Sequence, residues 1–400
     1  WSIIYYFCEQ VKQIAASAEF FLRGGRRRLP PPPAAKRLQK IPFGSIMHHK
    51  VFPHGRAEEK IMRIWKIPSP KTLASEERPE AVQTPTQAKV KVTNVLLSPY
   101  DLRIWRGSVR PNYPVIPCRF AVGVVSEAGE NCISVEKNTR VYIHDTVPCG
   151  KCEACCAGRG ENCSDRQAAG TDREGYLRDF AVTEEANLSA LPPSVSDTDA
   201  LFVGIVSLCE AVIDRLDAPK GTHIAVFGGG EIGNILCQLL IYHQQVPILI
   251  DTDEERLSVA AGCGIYYTLK ADEELSANVS RITGGHMAAH SVFTSYNPMP
   301  ADLPYETTAV GGTVVYTGFG FPSAKASLKP ALDRRLTLTT VTNDFSNNAA
   351  AINLLVNKAV NLAPLGLEIF PVAEAEQLFS SRAEELAAGK NVKCCVINLM

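Results

Sequence analysis

The spacing of apolar and polar residues changes near residue 199 of this chain. Before that point, short segments at 90–97, 122–126 and 140–143 alternate or run apolar, and Pro, Asn and Gly separate them. Such segments predict β-strands joined by turns. After that point, apolar helical segments alternate with short apolar runs, which predicts strands and helices around a parallel sheet. We therefore expect a β-rich region to about residue 195, followed by an α/β region.

The α/β region begins with a predicted helix over 200–216 and a buried strand over 224–227. This strand runs into Gly228, Gly230 and Gly233, which are spaced as G-x-G-x-x-G, and an apolar helix follows. In order, these glycines permit a tight turn, approach of the backbone to a pyrophosphate, and close packing of helix on strand. The helix N-terminus adds amide donors and a partial positive charge. This unit predicts a dinucleotide-binding turn; the alternative is a glycine-rich packing turn.

The next predicted strand, 247–250, ends at Asp251, about 20 positions beyond the glycine turn. A carboxylate there can accept hydrogen bonds from the adenosine ribose diol, and it would repel a 2′-phosphate. The adjacent Thr252 and Asp253 supply no nearby cation. The sequence therefore predicts NAD(H) rather than NADP(H) as the cofactor.

The rest of the chain continues the α/β pattern. Short β-rich segments lie at 291–295, 312–318 and 336–340. The tail contains a predicted helix over 373–388 and a final strand over 392–399. We expect this tail to rejoin the first, β-rich region.

Four cysteines are spaced as ligands of one metal ion: Cys149, Cys152, Cys155 and Cys163. Zn²⁺ prefers soft sulfur ligands and holds four of them tetrahedrally at about 2.3 Å. A site without a vacant position is structural, because it folds a loop and cannot polarise a substrate. The spacing predicts one structural Zn²⁺ per chain, with Cys156 as a spectator. The alternatives are free thiols in a flexible loop or a disulfide pair.

The composition excludes several classes of protein. The chain has 400 residues, 46% of them hydrophobic and 21% charged, which is ordinary for a globular protein with two domains. Its net charge of -1 gives no sign of a nucleic-acid or anionic-membrane partner. No apolar run approaches the roughly 18 residues of a membrane span. The chain has 13 cysteines, and those beyond the lobe are scattered, which favours a reducing, cytoplasmic location.

The first 61 residues differ from the rest. Several arginines precede the proline run 30–33, which is typical of a basic, stiffened linker. A mitochondrial presequence is an alternative that Glu9 and Glu19 weaken. A basic arm for nucleic acid or membrane, over 23–40, lacks interleaved aromatics, so a solvated arm is favoured. We predict a folded protein that begins near Met62, after a disordered extension or an artefact of start-site choice.

These features together resemble the medium-chain dehydrogenase/reductase family, which includes the zinc-containing alcohol, polyol and threonine dehydrogenases. The resemblance covers about 62–400. It rests on the segment Asp-Leu-Arg-Ile-Trp-Arg-Gly at 101–107, the cysteine lobe at 149–163, the segment 175–182, the glycine turn and the closing Gly389-Lys390.

The resemblance implies an α/β fold with two domains and a cleft between them. A GroES-like catalytic domain would span 62–195 and a Rossmann, doubly wound NAD-binding domain 196–345. The segment 346–400 would return to the first domain. It also implies a small-molecule substrate, hydride transfer in the cleft, and a homodimer or homotetramer.

The residues at the family's catalytic-zinc positions depart from the pattern. Ser98 replaces a cysteine, Cys118-Arg119-Phe120 replaces Gly-His-Glu, and the third ligand position falls near Val203. Arginine has no free lone pair for a metal, and valine has no donor atom. The resemblance thus implies that the catalytic zinc is absent while the structural zinc remains. A shifted metal site that uses Cys118 is the alternative.

Three residues are the candidates for the remaining chemistry. Tyr100 offers a phenol that can donate a proton, Arg119 can bind a carboxylate or stabilise an enolate or alkoxide, and Ser98 can add a hydrogen bond. The alternative is that they only fill the space of the zinc, with Arg119 paired to Asp101 or Asp179. We predict reduction of an activated C=C, C=O or C=N bond, or alcohol dehydrogenation. An inactive NAD-binding sensor or subunit is the competing function.

Overall fold

Two sheets organise the part of the chain that the computed structural model describes, residues 60–294, 299–319, 325–342 and 347–400. The predicted extension and basic arm fall almost entirely outside these residues. The first sheet is mixed and mostly antiparallel. Its strands cover, in spatial order, residues 368–371, 395–398, 87–97, 120–128, 140–143 and 188–190, and the strand over 180–184 also pairs with the strand over 87–97. The strands before the second sheet are β1 Ile61–Lys66, β2 Ala74–Pro79, β3 Gln87–Leu97, β4 Phe120–Ala128, β5 Arg140–Ile143, β6 Thr146–Val147, β7 Gln167–Ala168, β8 Phe180–Glu184 and β9 Leu188–Ala190.

The second sheet is parallel, in the order β12-β11-β10-β13-β14-β15. Counted along the chain, this is the strand order 3-2-1-4-5-6 of a doubly wound dinucleotide-binding sheet. The order reverses between β10 and β13, and ligands bind at the carboxyl ends of strands at such a point. Its strands are β10 His223–Phe227, β11 Val246–Asp251, β12 Tyr267–Lys270, β13 Ala288–Phe293, β14 Thr308–Thr317 and β15 Thr337–Val341.

The helices mostly cover the parallel sheet. The predicted helix over 200–216 begins later than expected, because Ser196 caps a separate turn by accepting a hydrogen bond from the N–H of Asp199 at 3.0 Å. The described helices are α1 Pro99–Arg106, α2 Glu153–Cys156, α3 Asp197–Ala200, α4 Val203–Leu216, α5 Glu231–Tyr242, α6 Glu254–Gly262, α7 Leu275–Ile282, α8 Leu303–Thr307, α9 Leu328–Asp333, α10 Asn348–Val356 and α11 Ala375–Ala387. None of the helices in the described ranges is long and apolar enough to cross a membrane.

The end of the chain pairs with the first sheet. Strand β17, Cys395–Asn398, is shorter than the predicted strand and lies antiparallel to β3, while β16, Glu368–Pro371, lies parallel to β17. This crossing back brings residues near 394 beside the glycine turn. The predicted fold class, a β-rich domain with a doubly wound α/β domain, is confirmed. The domain boundaries at 61, 195 and 345 stay predictions.

One apolar core joins the two sheets. Leu96 and Phe120 of the first sheet belong to the same buried cluster as Ile205 of α4 and Ile224 of β10. Each of these side chains is at most 3% exposed, so each contributes about 1.5–3 kcal/mol of burial. The walls of the cleft are therefore packed on a shared core.

Candidate active site and metal centre

A cavity with about 530 Å³ of empty space, which includes its opening to solvent, lies where the two sheets meet. From the β-rich region it is lined by all three predicted catalytic residues, Ser98 and Tyr100 at the start of α1 and Arg119 just before β4. From the α/β region it is lined by Gly230 and Gly233 of the glycine turn, and by Thr294, which follows β13. These elements come from the carboxyl ends of β10 and β13, where the strand order reverses. The structure thus brings the candidate catalytic residues and the glycine turn to one cavity.

Asp101 fixes the chain around this cavity. It is 1% exposed, and its Oδ2 accepts hydrogen bonds from the Ser98 hydroxyl at 2.6 Å and the Ser98 N–H at 3.0 Å. Its Oδ1 accepts the N–H of Cys118 at 2.9 Å. Burial raises the pKa of Asp101, and these hydrogen bonds oppose that shift. One carboxylate therefore holds both Ser98, two positions before Tyr100, and Cys118, directly before Arg119.

The Ser98–Asp101 pair is a capping box at the start of α1. The Ser98 hydroxyl donates its hydrogen bond to Asp101, so its oxygen can only accept a hydrogen bond from a ligand. Ser98 can therefore contact a substrate group only if that group is a hydrogen-bond donor. The pattern S-x-x-D, which signals a helix start, was a visible sign of this role of Asp101.

Arg119 is buried without a carboxylate partner among the described residues. The residue is 7% exposed, and its Nε has no hydrogen-bond partner. Its guanidinium carbon lies 5.5 Å from the ring centre of Tyr100 and 5.1 Å from that of Phe319. Neither suggested salt bridge forms, since Asp101 accepts hydrogen bonds from Ser98 and Cys118 and the Asp179 carboxylate accepts a backbone N–H of β1. The charge of Arg119 nevertheless lowers the pKa of Asp101. Whether these residues only fill the space of a zinc stays open.

Tyr100 keeps its phenol proton at neutral pH. The side chain is partly buried, and this burial raises its pKa, while the nearby Arg119 opposes the shift. A protonated phenol donates a hydrogen bond or a proton and does not act as a base. The geometry therefore permits the predicted donor role, which stays a prediction.

Among the described residues, no clustered ligand set occurs at the positions that the family resemblance assigns to a catalytic zinc. Cys118 is fully buried with φ at 68°, and burial raises its thiol pKa well above the usual value. Val203 is also fully buried at the start of α4, and Ile205 is the α4 residue that lines the cavity. Within the described ranges, metal-binding side chains cluster only at the cysteine lobe.

The four lobe cysteines form that cluster. Their Sγ atoms all lie within 4.8 Å of one another, with 3.4 Å between Cys152 and Cys155 and 3.9 Å between Cys149 and Cys155. A tetrahedral zinc with 2.3 Å bonds requires S–S distances of about 3.8 Å. Cys163 completes the group. Cys156 is exposed, and its Sγ contacts a backbone carbonyl outside the group.

Backbone amides in the lobe favour the thiolate form at one of its cysteines. Hydrogen bonds from the backbone N–H groups of Lys151 and Cys152 lower the pKa of the Cys149 thiol to about 7, whereas burial raises the pKa of the Cys155 thiol to about 12. The N–H of Cys149 in turn lies 3.3 Å from the Cys163 Sγ. The donor set, its spacing and its backbone amides therefore fit a structural Zn²⁺.

The glycine turn has the shape of a phosphate cradle. Gly228 has φ at 109°, and a Cβ on Gly233 would lie 1.8 Å from the Gly228 carbonyl oxygen, so both positions require glycine. A Cβ on Gly230 would meet no atom within 4 Å, which means that open space faces this residue. Gly230 is also the N-cap of α5 and makes no side-chain cap. The amides at the start of α5 therefore face a space that fits a dinucleotide phosphate.

Asp251 hydrogen-bonds to the glycine turn and lies next to Arg256. The carboxylate is fully buried, and its oxygens accept the N–H of Gly229 at 2.6 Å and the N–H of Asp253 at 2.9 Å. Arg256 Nη1 lies 3.5 Å from Asp251 Oδ2. The two residues after Asp251 supply no cation, as expected, but Arg256, five residues further along the chain, does. The predicted ribose contact stays a prediction.

A second, smaller cavity of about 300 Å³ adjoins the other side of the turn. Two cations line it, Arg256 and Lys393, together with Gly229 and Gly230. Glu231 lines both cavities, and its Oε1 accepts the N–H of Cys394 at 2.8 Å. The position of Glu231 at the site was not predicted, although an acidic residue directly after the glycine at a helix start is visible in the sequence.

Comparisons with known proteins agree with this architecture. The family model "Alcohol dehydrogenase GroES-like domain" matches residues 84–193. A sorbitol dehydrogenase from Halalkalibacterium halodurans is 24% identical over 316 residues, which cover 77% of this chain and 91% of that protein.

Two solved structures share the fold. An alcohol dehydrogenase from Escherichia coli in complex with NADH has a TM-score of 0.75 at 19% identity, covering 85% of this chain and 99% of its own. A putative zinc-binding dehydrogenase from Sinorhizobium meliloti, bound to NADP, has a TM-score of 0.75 at 20% identity, covering 85% and 100%. The GroES-like assignment of the first domain is thus confirmed.

Proposed function

We propose that the chain is a member of the medium-chain dehydrogenase/reductase family and an NAD(H)-dependent oxidoreductase acting on a small carbonyl, alcohol or conjugated substrate. One observation carries this proposal. Tyr100 and Arg119 of the β-rich region share one cavity with Gly230 and Gly233 of the glycine turn. A hydride-transfer enzyme needs this arrangement, since the substrate must meet the cofactor next to groups that handle charge.

Residues on both sides of the glycine turn would hold the dinucleotide. The start of α5 offers amides to the pyrophosphate, and Arg256 and Lys393 add positive charge from the smaller cavity. The charge of Arg256 is offset by Asp251, and its Nε donates to Asn391 at 2.8 Å. An arginine held in this way is poorly placed for a 2′-phosphate, which supports NAD(H) over NADP(H).

Reduction of a carbonyl requires a hydride and a proton. When bound, the nicotinamide supplies the hydride. Tyr100 supplies the proton to the substrate oxygen, because its pKa is raised and its phenol stays protonated. The guanidinium of Arg119 balances negative charge that develops on that oxygen. We propose one zinc per chain, held by Cys149, Cys152, Cys155 and Cys163 for structure only.

Dinucleotide binding without turnover is the second candidate. The observation that favours it is the chemistry of Ser98, Arg119 and Val203, which together offer no ligand set for a catalytic metal. It predicts a protein that binds NADH and changes no carbonyl compound.

The test uses the full chain, with zinc counted by plasma mass spectrometry and NADH and NADPH titrated by fluorescence. Turnover is then screened on aldehydes, ketones, enones and 2-oxo acids. We expect one zinc per chain, tighter binding of NADH than of NADPH, and oxidation of NADH with at least one class. Binding without any turnover supports the second candidate, and failure to bind either dinucleotide contradicts both.

A further inference from the structure

We propose that Arg119 makes the cavity a carboxylate-binding pocket, and that the substrate is a small 2-oxo acid or the matching 2-hydroxy acid. The reacting bond in this inference rests on the proposed hydride-transfer function. The binding of an anion does not, because it follows from the surroundings of Arg119 alone.

The first step is the burial of a permanent cation. Arg119 is 93% removed from solvent, being 7% exposed, and arginine stays protonated in proteins. Removing such a charge from water is unfavourable unless other groups compensate for the lost hydration. The rings of Tyr100 and Phe319, whose centres lie 5.5 and 5.1 Å from the guanidinium carbon, offset only part of this cost through cation–π contact. A buried guanidinium therefore needs an anion nearby.

The second step is that no described carboxylate forms a salt bridge with Arg119, and its Nε is buried without a hydrogen-bond partner. The charge of Arg119 lowers the pKa of Asp101, so the two groups are near each other, but the Asp101 oxygens accept hydrogen bonds from Ser98 and Cys118 instead. The segments that follow the cavity residues Thr294 and Phe319 along the chain, 295–298 and 320–324, contain no Asp or Glu. We therefore assign the carboxylate that hydrogen-bonds to the guanidinium to the ligand.

The third step selects the class of anion. A planar guanidinium binds a carboxylate through two parallel N–H···O hydrogen bonds. Tyr100, whose phenol is protonated, lines the same cavity as Arg119. If Arg119 binds the carboxylate of a 2-oxo acid, the carbonyl oxygen of that acid can therefore accept a hydrogen bond from Tyr100. A carboxylate also withdraws electrons from an adjacent carbonyl, which makes that carbonyl reducible without a Lewis acid.

The balanced reaction has one hydride and one proton. The hydride of the reduced dinucleotide adds to the carbonyl carbon, and the Tyr100 proton passes to the carbonyl oxygen. The products are the 2-hydroxy acid and the oxidised dinucleotide, and Tyr100 recovers its proton from solvent. Arg119 keeps its charge throughout and holds the carboxylate in both directions of the reaction.

The first experiment measures binding and does not depend on turnover. The full chain is saturated with NADH and titrated with oxamate, an unreactive 2-oxo acid analogue, or with the neutral oxamide. Calorimetry reports the affinity. We expect oxamate to bind about 10- to 100-fold more tightly than oxamide, since a charged hydrogen-bonded pair is worth about 1.5–3 kcal/mol.

The variants assign this affinity to Arg119. Arg119→Met should lose the preference for oxamate, and Arg119→Lys should retain part of it, because lysine keeps the charge but not the planar fork. Arg281→Met is the matched control, since Arg281 is exposed on α7 and hydrogen-bonds only to its neighbour Asn278. NADH affinity within about twofold of the unsubstituted protein shows that each variant is folded. Equal oxamate binding by Arg119→Met overturns the inference.

The second experiment separates this inference from the proposed function. Three- to six-carbon 2-oxo acids are compared with the corresponding methyl ketones as NADH-dependent substrates. Reduction of ketones with neither binding nor reduction of the acids overturns the carboxylate pocket but leaves the oxidoreductase. Arg119-dependent oxamate binding without turnover of any compound supports the pocket and contradicts the oxidoreductase. A loss of NADH affinity in both Arg119 variants, with oxamate affinity unchanged, assigns Arg119 to the cofactor and overturns the inference.

Discussion

The cysteine lobe and the cavity between the sheets invite comparison, because the family resemblance assigns a metal position to each. In the lobe, four thiols lie within 4.8 Å of one another, and backbone amides lower the pKa of the Cys149 thiol. At the positions compared with a catalytic zinc site, the chain carries an alcohol, a guanidinium and an alkyl side chain. The zinc proposed for the lobe would hold a loop in place, whereas the chemistry proposed for the cavity requires only a way to balance charge. Organic side chains can balance charge, but they cannot link four thiols as a metal ion does.

The sharpest test on the cavity side is Tyr100→Phe. We expect kcat to fall by about 10²- to 10⁴-fold with NADH affinity unchanged, because the variant lacks the proton donor. In the unsubstituted protein, kcat for reduction should stay level through neutral pH and fall only above the usual phenol pKa of 10, since burial raises that pKa. Stopped-flow and steady-state rates against pH give both results.

The control for this substitution is Tyr266→Phe, at a side chain that is 86% exposed. It should leave kcat unchanged. A Tyr100→Phe enzyme with full kcat and an unaltered pH profile would remove Tyr100 from the chemistry.

On the lobe side, Cys152→Ser should release the metal and lower the free energy of unfolding by about 3 kcal/mol or more. The reason is that a hydroxyl is a poor ligand beside three thiolates. Mass spectrometry and thermal unfolding measure the two effects. Cys156→Ser is the matched control, since this thiol is exposed and outside the cluster. A Cys152→Ser protein that retains one zinc and full stability contradicts the structural role.

Asp101→Asn tests the part of the cavity wall that holds the candidate residues in place. The amide removes one of the acceptors for Ser98, so we expect a loss of about 1–3 kcal/mol in stability and a smaller drop in kcat than that of Tyr100→Phe. Denaturant titration and kinetics measure these. Asp165→Asn, at an exposed position, should change neither. Loss of kcat without any loss of stability would instead give Asp101 a direct chemical role.

The smallest expected effect is at Glu231→Gln. Its carboxylate lines both cavities at the helix start where the pyrophosphate would lie, and Gln keeps an acceptor for the Cys394 N–H. Removing the negative charge should tighten NADH binding a few-fold, by about 1 kcal/mol or less. Fluorescence titration measures this, with the exposed Glu136→Gln as control. Weaker binding by Glu231→Gln would show that the carboxylate assists the cofactor.

Local sequence predicted the elements whose chemistry is local. The strand before Gly228, the glycine turn and the strand ending at Asp251 lie close to their predicted positions, because spacing along the chain determines them. The cysteine cluster is local for the same reason. The family resemblance, rather than any pattern, suggested Ser98, Tyr100 and Arg119.

Contacts between distant segments were not predictable. The hydrogen bond from the Cys118 N–H to Asp101 spans 17 positions, and the one from the Cys394 N–H to Glu231 spans 163. Neither of these hydrogen bonds produces a periodic pattern of residues in the sequence. Arg256 was missed because a turn of helix, not the next residue, brings it back to Asp251. The unmatched charge of Arg119 is also visible only once its surroundings are known.

The apolar cluster that runs from Leu96 and Phe120 into α4 and β10 has a consequence for protein engineering. In a chimaera that takes the nucleotide-binding half from a relative, the apolar side chains of that half would have to match, in volume, those of Leu96 and Phe120, against which they pack. A mismatch would leave a void directly behind Phe120, the neighbour of Arg119. Exchanging cofactor preference by transplanting that half would therefore also disturb the pocket that chooses the substrate.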